Sequence, residues 1–407
     1  MNKMTNKIKK SWSSNVLIFI FVAQPVVLFV LNQRAVSSSQ HNAEESLRSP
    51  NLFVSESRNF KLSRRSESSA TKSIPDPEGL DCKSFLQDYR NGKVKEMERA
   101  PGWEKSFVTR TITNKPFYWS LHNPDLDNAR ASSYQKGVYY EIELSGRIAE
   151  FFDAQHHANI NVVGEKKESI FLDVGGNIGW YSLLAAAHGA SKVYIFEPNP
   201  ANLVRFCESL MLNDWLPDDR GQEKIIPIAK GVGKEVAKLT LWRAGESNPG
   251  SFSFSEELVS KFKSKTDMQE NGVVGEIDVI TLDSFARSHG WLDDDDLRNS
   301  KPSIGFFKLD VEGYEPQVIQ GAKELFKSRI VENFAMEMKS SMAPKDKRDI
   351  IEILFTSGYD LVIHGGWSGP NIPVEKKYDN HLDLSKDICD GKYKENLIFR
   401  VRGEDPF

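Results

Sequence analysis

Two acidic residues follow closely spaced apolar runs in the middle of the chain. Asp173 opens the sequence Asp-Val-Gly-Gly-Asn-Ile-Gly, and Glu197 follows the apolar run 193–196. An apolar strand, a glycine turn and an apolar helix, here at 180–187, are typical of half a nucleotide-binding fold. In such folds an acid after the second strand accepts hydrogen bonds from both ribose hydroxyls. Glu197 occupies that position, so the sequence predicts a site for a ribose-containing cofactor.

The spacing of the glycines distinguishes between nucleotide classes. Dinucleotide folds use Gly-x-Gly-x-x-Gly and hold a pyrophosphate on a helix N-terminus, whereas this loop is Asp-x-Gly-x-x-x-Gly. Asp173 would repel a pyrophosphate but could pair with the amino group or the sulfonium of an amino-acid tail. S-adenosylmethionine carries such a tail, and we predict that it binds to Asp173, Gly175, Asn177, Gly179 and Glu197. A purely structural turn is the alternative.

Charged residues also follow a later apolar run. In 308–312, Lys-Leu-Asp-Val-Glu, charged and apolar residues alternate, so in an extended strand Lys308, Asp310 and Glu312 point to one side. Methyl transfer from a sulfonium requires collinear donor and acceptor, and a nearby base can take the proton of a hydroxyl acceptor. We assign Asp310 as the leading acid or base and Lys308 as the group that tunes it or polarises the acceptor. Glu312 could instead cap the next helix, and a Lys–Asp pair could simply fix the end of the strand.

Glu337 ends the neighbouring predicted strand and should lie on the same edge of the sheet. It could bind the substrate, assist a metal ion or join a hydrogen-bond network with Lys308. Asp310 and Glu337 have no clear third oxygen ligand beside them, so no metal requirement is predicted.

Three residues in predicted loops could also reach this edge, namely His122, His364 and Trp367. The glycine-bearing run 364–370 is a candidate substrate lid. A packed or half-exposed loop side chain is the alternative for each of them.

Five segments, taken in order along the chain, resemble the FkbM-type methyltransferase family. They lie at 171–179, 196–200, 281–283, 307–315 and 334–337, and a small polar turn at 248–251 is also similar. The resemblance covers about 137–399 and implies an enzyme of the class I methyltransferase fold that uses S-adenosylmethionine. Gly176 stands where members of the family often carry alanine, a change that should loosen the turn slightly without removing the ligand.

Seven apolar runs alternate with helical segments and predict an α/β fold. They lie at 170–172, 193–196, 225–228, 306–309, 333–336, 360–363 and 397–399. The predicted architecture is a doubly wound, mostly parallel, seven-stranded Rossmann-like sheet within 169–407, with the last two strands as an antiparallel edge hairpin. The aromatic-rich segment 81–168 is expected to cap this sheet.

The N-terminal part differs in composition. The apolar run 16–31 follows a lysine-rich tail at 1–15 and predicts a transmembrane signal-anchor that places the rest of the chain in the lumen of the ER or Golgi. Residues 32–80, rich in Ser, Glu, Arg and Asn, are predicted to be a disordered stem. Because the run is short, cleavage as a signal peptide and secretion stay open.

Charge and cysteine content exclude some classes of protein. A net charge of −4 over 407 residues provides no broad basic field, so no nucleic-acid partner is expected. Three cysteines exclude a disulfide framework or a Cys-rich zinc site. Cys207 is expected to pack as a small apolar group, which leaves Cys82 and Cys389 as a candidate pair.

The main hypothesis is an O-methyltransferase that uses S-adenosylmethionine to methylate a hydroxyl of a glycan or another small hydroxylated acceptor in the secretory pathway. A Golgi-type glycosyltransferase is one alternative, because it shares the layout of anchor, stem and domain and could use the acidic run 293–296 to hold a metal ion and a sugar nucleotide. A solvated surface run is the structural alternative for 293–296. A catalytically silent S-adenosylmethionine-binding protein is the other alternative.

Overall fold

The computed structural model of the chain describes ten ranges, all within the unit Glu67–Phe407. They are 79–94, 105–123, 137, 140–160, 168–217, 224–243, 252–254, 273–292, 302–365 and 370–403. Six features of the sequence prediction lie wholly or mostly outside them: the tail 1–15, the membrane span 16–31, the stem 32–80, the turn 248–251, the acidic run 293–296 and the candidate lid 364–370 with Trp367. Among the residues that are described, none of the helices has both the length and the apolar character needed to cross a bilayer.

Nine helices occur in the described ranges. They are α1 (Cys82–Arg90), α2 (Ile142–Ile160), α3 (Trp180–His188), α4 (Pro200–Leu212), α5 (Leu282–Ser288), α6 (Glu315–Gln320), α7 (Lys323–Lys327), α8 (Pro344–Thr356) and α9 (His381–Cys389).

Fourteen strands occur in the same ranges. They are β1 (Ser106–Arg110), β2 (Tyr118–His122), β3 (Ser169–Val174), β4 (Lys192–Phe196), β5 (Ile225–Ile228), β6 (Gly231–Val232), β7 (Ala237–Arg243), β8 (Phe252–Ser253), β9 (Val273–Ile280), β10 (Ser303–Leu309), β11 (Val331–Glu337), β12 (Tyr359–Gly365), β13 (Ile372–Pro373) and β14 (Asn396–Val401).

The central sheet contains the seven predicted strands and one more. Its order is β13-β12-β14-β11-β10-β3-β4-β5. Strands β11, β10, β3, β4 and β5 pair in parallel, and β14 lies antiparallel between β11 and β12. The predicted antiparallel pairing of the last two strands is therefore confirmed. The prediction of seven strands was one too few, because the two-residue strand β13 pairs with β12 at the edge.

Helices cover both faces of this sheet, so the doubly wound arrangement is confirmed. Every residue of β3 and of β10 is buried, because each strand is packed from both sides. On one face Phe171 and Phe306 pack with residues of α1, α2, α3 and α4. On the other face Leu172 and Phe307 pack with residues of α5, α6, α7, α8 and α9. Successive residues of a strand point to opposite faces, which assigns them to the two cores.

A second sheet, with the order β6-β9-β7-β8, was not predicted. Its two long strands, β7 and β9, are mostly half-buried or exposed, so they lack the continuous apolar run that identifies strands of the central sheet. The sheet follows β5 in the chain and precedes β10, and it contributes one wall of the pocket described below.

The segment before β3 packs on the α1–α4 face of the central sheet. Strands β1 and β2 form an antiparallel pair. The indole N–H of Trp119, in β2, donates a hydrogen bond to the carbonyl of Ile178 (3.0 Å). This contact ties the N-terminal segment to the loop between β3 and α3.

The disulfide differs from the predicted pairing. Cys82 in α1 is bonded to Cys207 in α4, and Cys389 is free, so the predicted pair of Cys82 with Cys389 is wrong. The reason is the placement of the helices, since α1 and α4 share one face of the sheet. Cys389 ends α9, whose buried residues belong to the core on the other face.

Candidate active site

The loop after β3 is fixed by hydrogen bonds from both neighbouring strand ends. The backbone N–H groups of Gly175 and Gly176 both donate to the carbonyl of Phe196 at the end of β4 (3.0 Å each). The N–H of Asp310, just after β10, donates to the carbonyl of Val174 (3.0 Å). Gly175 has a φ of +82°, and a Cβ there would lie 1.8 Å from the carbonyl oxygen of Asp310. Only glycine allows the two loops to approach this closely.

The rest of the loop turns the chain into α3. Gly179 precedes the helix with a φ of +84°, and a Cβ would meet the ring of Phe206 at 2.0 Å. Gly176 has no positive φ, but a Cβ on it would lie 2.1 Å from the side chain of Ile195. An alanine at 176 would therefore require Ile195 to move.

A pocket of about 580 Å³, its open mouth included, lies at the carboxyl ends of β3, β4 and β10. This volume falls within the roughly 300–1,000 Å³ typical of small-molecule sites. Four of the eight predicted site residues line it: Gly175, Asn177, Glu197 and Asp310. The other lining residues are Val174, Phe196, Pro198, Lys230, Gly231, Val232, Leu241, Phe252, Ser253, Phe254, Val311 and Glu312.

Glu197 is a buried carboxylate at the wall of this pocket, only 5% exposed. One oxygen accepts the N–H of Asn177 (2.7 Å) and the other accepts the N–H of Asn199 (2.8 Å). Burial raises the pKa of Glu197 to about 7, against the lowering effect of these two hydrogen bonds. The backbone donors hold the carboxylate in one orientation, and each oxygen keeps acceptor capacity for a ligand.

Asp173 lies one layer behind the pocket and is fully buried. Its Oδ2 accepts a hydrogen bond from the hydroxyl of Ser182 (2.8 Å), and its Oδ1 lies 3.4 Å from Nζ of Lys308. Because Asp173 already has a cationic partner within the protein, its placement favours an indirect role. The predicted contact between Asp173 and a bound cation stays a prediction.

Lys308 connects the residues around the loop. Its Nζ donates to the carbonyl of Gly175 (2.8 Å) and lies 3.4 Å from Asp173 and 3.9 Å from Asp310. Burial alone would lower the pKa of Lys308, but Asp173, Asp310 and Glu141 outweigh it and raise the pKa. The lysine therefore stays charged. Because Lys308 is only 5% exposed, it is placed to contact Asp310 and not to contact an acceptor.

Asp310 follows β10 and faces the pocket. Its side chain is 34% exposed, and Oδ2 faces Lys308. Its Oδ1 is buried and accepts no hydrogen bond from the part of the chain that the structure describes. Of the three predicted acids and bases, only Asp310 lines the pocket formed by the described residues, since Lys308 and Glu337 do not.

Glu337 ends β11 but does not line the pocket. It forms an ion pair with Lys339 (3.4 Å), and Lys339 also donates to Glu312 (2.6 Å). Burial and then repulsion by Asp310 raise the pKa of Glu337 to about 7. A catalytic role of Glu337 stays a prediction, and the sequence analysis had missed Lys339.

Lys308, Asp310 and Glu312 were predicted to point to one side of an extended strand, but the extended conformation does not reach Glu312. Strand β10 ends at Leu309, and Glu312 has a left-handed φ of +52°. The carboxylate that accepts the N–H groups before the next helix is that of Glu315, from residues 311 and 313 (3.1 Å each). The suggestion that Glu312 caps this helix is therefore wrong.

Glu141 and Tyr181 are two further residues near the site that the sequence did not indicate. Glu141 is half-buried just before α2, and Tyr181 in α3 donates its hydroxyl hydrogen bond to Oε2 of Glu141 (2.5 Å). Burial raises the pKa of Glu141, and Asp310 raises it further. No periodic or glycine pattern marks Glu141, and only the tertiary fold brings it to this edge.

The sequence analysis placed His122 and His364 in loops, but both lie in strands. His122 is buried in β2, where Nε2 contacts Oδ1 of Asn202 (3.0 Å). His364 lies in β12, and its Nδ1 accepts the N–H of Lys394 (3.3 Å). Neither histidine lines the pocket. Among the described ranges, no three His, Cys, Asp or Glu side chains are grouped so that they could hold a metal ion.

The comparison with protein families matches residues 173–361 to the methyltransferase FkbM domain. The match includes Asp173, Glu197, Asp310 and Glu337, and it confirms the resemblance stated from the sequence. No curated protein matches the chain.

Solved structures show only weak similarity. A methyltransferase FkbM from Methylobacillus flagellatus is 15% identical with a TM-score of 0.32, over 61% of this chain and 47% of that one. A putative SAM-dependent methyltransferase from Streptococcus mutans is 11% identical with a TM-score of 0.31, over 74% and 56%. A SAM-dependent methyltransferase from Agrobacterium tumefaciens is 11% identical with a TM-score of 0.33, over 75% and 72%. The chain spans about half the length of the first two (47% and 56%). Similarity at this level identifies neither a substrate nor a site residue.

Proposed function

We propose that the chain is an O-methyltransferase that uses S-adenosylmethionine as methyl donor, because residues 173–361 match the methyltransferase FkbM domain. The observation that carries the proposal is the convergence of Gly175, Glu197 and Asp310 on one pocket. These residues come from the ends of β3, β4 and β10, the edge at which open α/β sheets bind their ligands.

The residues of the pocket fit this donor. The Glu197 carboxylate, held by two backbone N–H groups, suits the two ribose hydroxyls. The Cα of Gly175 lets a ligand approach the backbone, since a side chain there would strike Asp310. Apolar side chains suited to a purine ring lie at the wall formed by the second sheet, among them Leu241 and Phe252.

Asp310 is the proposed base. When bound, the donor supplies a methyl group that is electrophilic because it is attached to a sulfonium. Asp310 would accept the proton of the acceptor hydroxyl as the new bond forms, and Nζ of Lys308 lies 3.9 Å from Oδ2 of Asp310. Lys308 itself is held by Asp173 and by the carbonyl of Gly175.

We place the acceptor and the compartment in the same proposal: a hydroxyl of a glycan or another small hydroxylated molecule, in the lumen of the ER or Golgi. The disulfide between Cys82 and Cys207 supports an oxidising compartment, because such bonds are rare in the cytosol. The apolar run 16–31 after a lysine-rich tail supports a membrane anchor.

The proposal is tested by methyl transfer from radiolabelled S-adenosylmethionine to fractionated glycans and small molecules of the source organism. We expect the full-length protein to label one fraction and Asp310→Asn to slow the transfer by about 10²- to 10⁴-fold, with donor affinity retained. Asp278→Asn, at an exposed residue of β9, is the control and should transfer normally. Equal rates for Asp310→Asn and the wild type would remove the assignment of the base. A wild type that does not bind the donor would remove the proposed function.

A further inference from the structure

We propose that Glu141 binds the α-ammonium group of the donor's methionine tail and that Tyr181 holds Glu141 in place for this contact. The inference rests on the proposed function and adds a donor-binding residue from outside the matched domain, which begins at residue 173.

The backbone and a side chain both fix Glu141. Its φ is +42°, a left-handed value that is uncommon for a residue other than glycine and that costs about 1 kcal/mol or more. Its carbonyl accepts the N–H of Ser145 in the first turn of α2 (3.0 Å), and its carboxylate accepts the hydroxyl of Tyr181 (2.5 Å). Strain of this kind is tolerated where a side chain must be aimed at a fixed point.

A continuous chain of contacts joins Glu141 to the pocket. The ring of Tyr181 lies beneath Nζ of Lys308, 5.6 Å from the ring centroid. Lys308 in turn contacts Gly175 and Asp310, both of which line the pocket. Asp310 raises the pKa of Glu141 through repulsion, as expected of two carboxylates that lie near each other.

The charges in this group do not balance within the protein. Asp173, Asp310 and Glu141 surround one cation, Lys308, so two negative charges are in excess when all four are ionised. Carboxylates that are partly removed from water require a compensating cation. The proposed donor carries positive charges on its sulfonium and its α-ammonium group and a negative charge on its α-carboxylate, so its net positive charge offsets part of this excess.

The orientation of the donor follows from the two ends of the site. Glu197 lies at one end and suits the uncharged ribose, so the cationic tail must extend toward Asp310. Asp173, the residue first expected to meet this tail, is fully buried and already paired with Lys308. Glu141 does not itself line the pocket, but it is a half-buried carboxylate that interacts electrostatically with Asp310 and Lys308. It can accept an ammonium hydrogen bond while it accepts one from Tyr181.

The test compares two ligands that differ only in the tail. S-adenosylhomocysteine contains the ammonium group, and 5′-methylthioadenosine lacks the whole amino-acid end. Calorimetry on the full-length protein should show that Glu141→Gln weakens S-adenosylhomocysteine about tenfold or more, the value of one hydrogen bond to a charged group, and leaves methylthioadenosine unchanged. Glu143→Gln is the matched control, an exposed acid two residues away, and should bind both ligands as the wild type does.

A second variant keeps the test decisive if Glu141→Gln does not fold. Tyr181→Phe retains the buried ring and removes only the hydroxyl, and it should also weaken S-adenosylhomocysteine selectively. Equal losses for both ligands would show a structural role and overturn the inference, as would unchanged affinity for S-adenosylhomocysteine with slower methyl transfer. If the wild type bound neither ligand, the proposed function itself would fail.

Discussion

Glu197 combines burial with a fixed orientation, and its protonation should therefore respond to a ligand. Its pKa is raised to about 7 by burial, so a substantial fraction is protonated in the free protein near neutral pH. Ribose hydroxyls donate hydrogen bonds, and hydrogen bonds to the charged form of an acid lower its pKa.

We therefore expect binding of the donor to release protons near pH 7. The measurement is calorimetry with S-adenosylhomocysteine at pH 7 in buffers of different ionisation enthalpy. Release should be smaller in Glu197→Gln, which cannot ionise at this position. Proton uptake on binding by the wild type would contradict the proposed contact of Glu197 with the ribose.

At the scale of elements, the contact between the loop after β3 and the end of β10 shapes the site. Gly175 is the residue at which these two segments touch, and its φ of +82° is itself unfavourable for any other residue. The nearest atom to an added Cβ is a backbone oxygen, which cannot rotate away as a side chain does.

Gly175→Ala should consequently destabilise the protein by about 1–3 kcal/mol and weaken donor binding, because the loop must move off β10. Gly146→Ala is the control: Gly146 lies within α2, has no positive φ, and an added Cβ would meet nothing within 4 Å. That change should stabilise the protein by about 0.5–1 kcal/mol. Denaturant unfolding measures both variants, and a Gly175→Ala protein as stable as Gly146→Ala would refute the close contact.

The success of the sequence analysis at this scale depended on burial. The strands of the central sheet are packed on both faces, so each leaves a continuous apolar run, as at 170–172 and 306–309. Strands β7 and β9 are half-exposed and leave no such run. For the site, Glu197 and Asp310 could be found because they directly follow apolar strands. Glu141 could not, because only tertiary packing brings it near Asp310.

At the scale of the whole molecule, the disulfide joins α1, near the start of the described chain, to α4 of the central fold. Cys82 and Cys207 are 125 residues apart, and both are buried in the core between α1 and α4. The sequence provides three possible pairings for three cysteines, and the helix placement that selects one of them cannot be read from spacing.

Replacing both bonded cysteines, as Cys82→Ala with Cys207→Ala, should lower the free energy of unfolding by about 2–5 kcal/mol. Cys389→Ala, at the free cysteine, should change it little. A reductant should lower the melting temperature of the wild type and of Cys389→Ala, but not that of the double variant. A wild type whose melting temperature is indifferent to reductant would contradict a stabilising disulfide.

The most direct measurement is the affinity of the full-length protein for S-adenosylhomocysteine, with Glu197→Gln as the test and Glu276→Gln, at an exposed residue of β9, as the control. We expect the wild type and the control to bind equally and Glu197→Gln to bind about 10- to 100-fold more weakly, because one amide N–H₂ would face a backbone donor and the charged acceptor for the ribose is lost. Equal affinity of all three proteins, or no binding by the wild type, would contradict a donor site at Glu197.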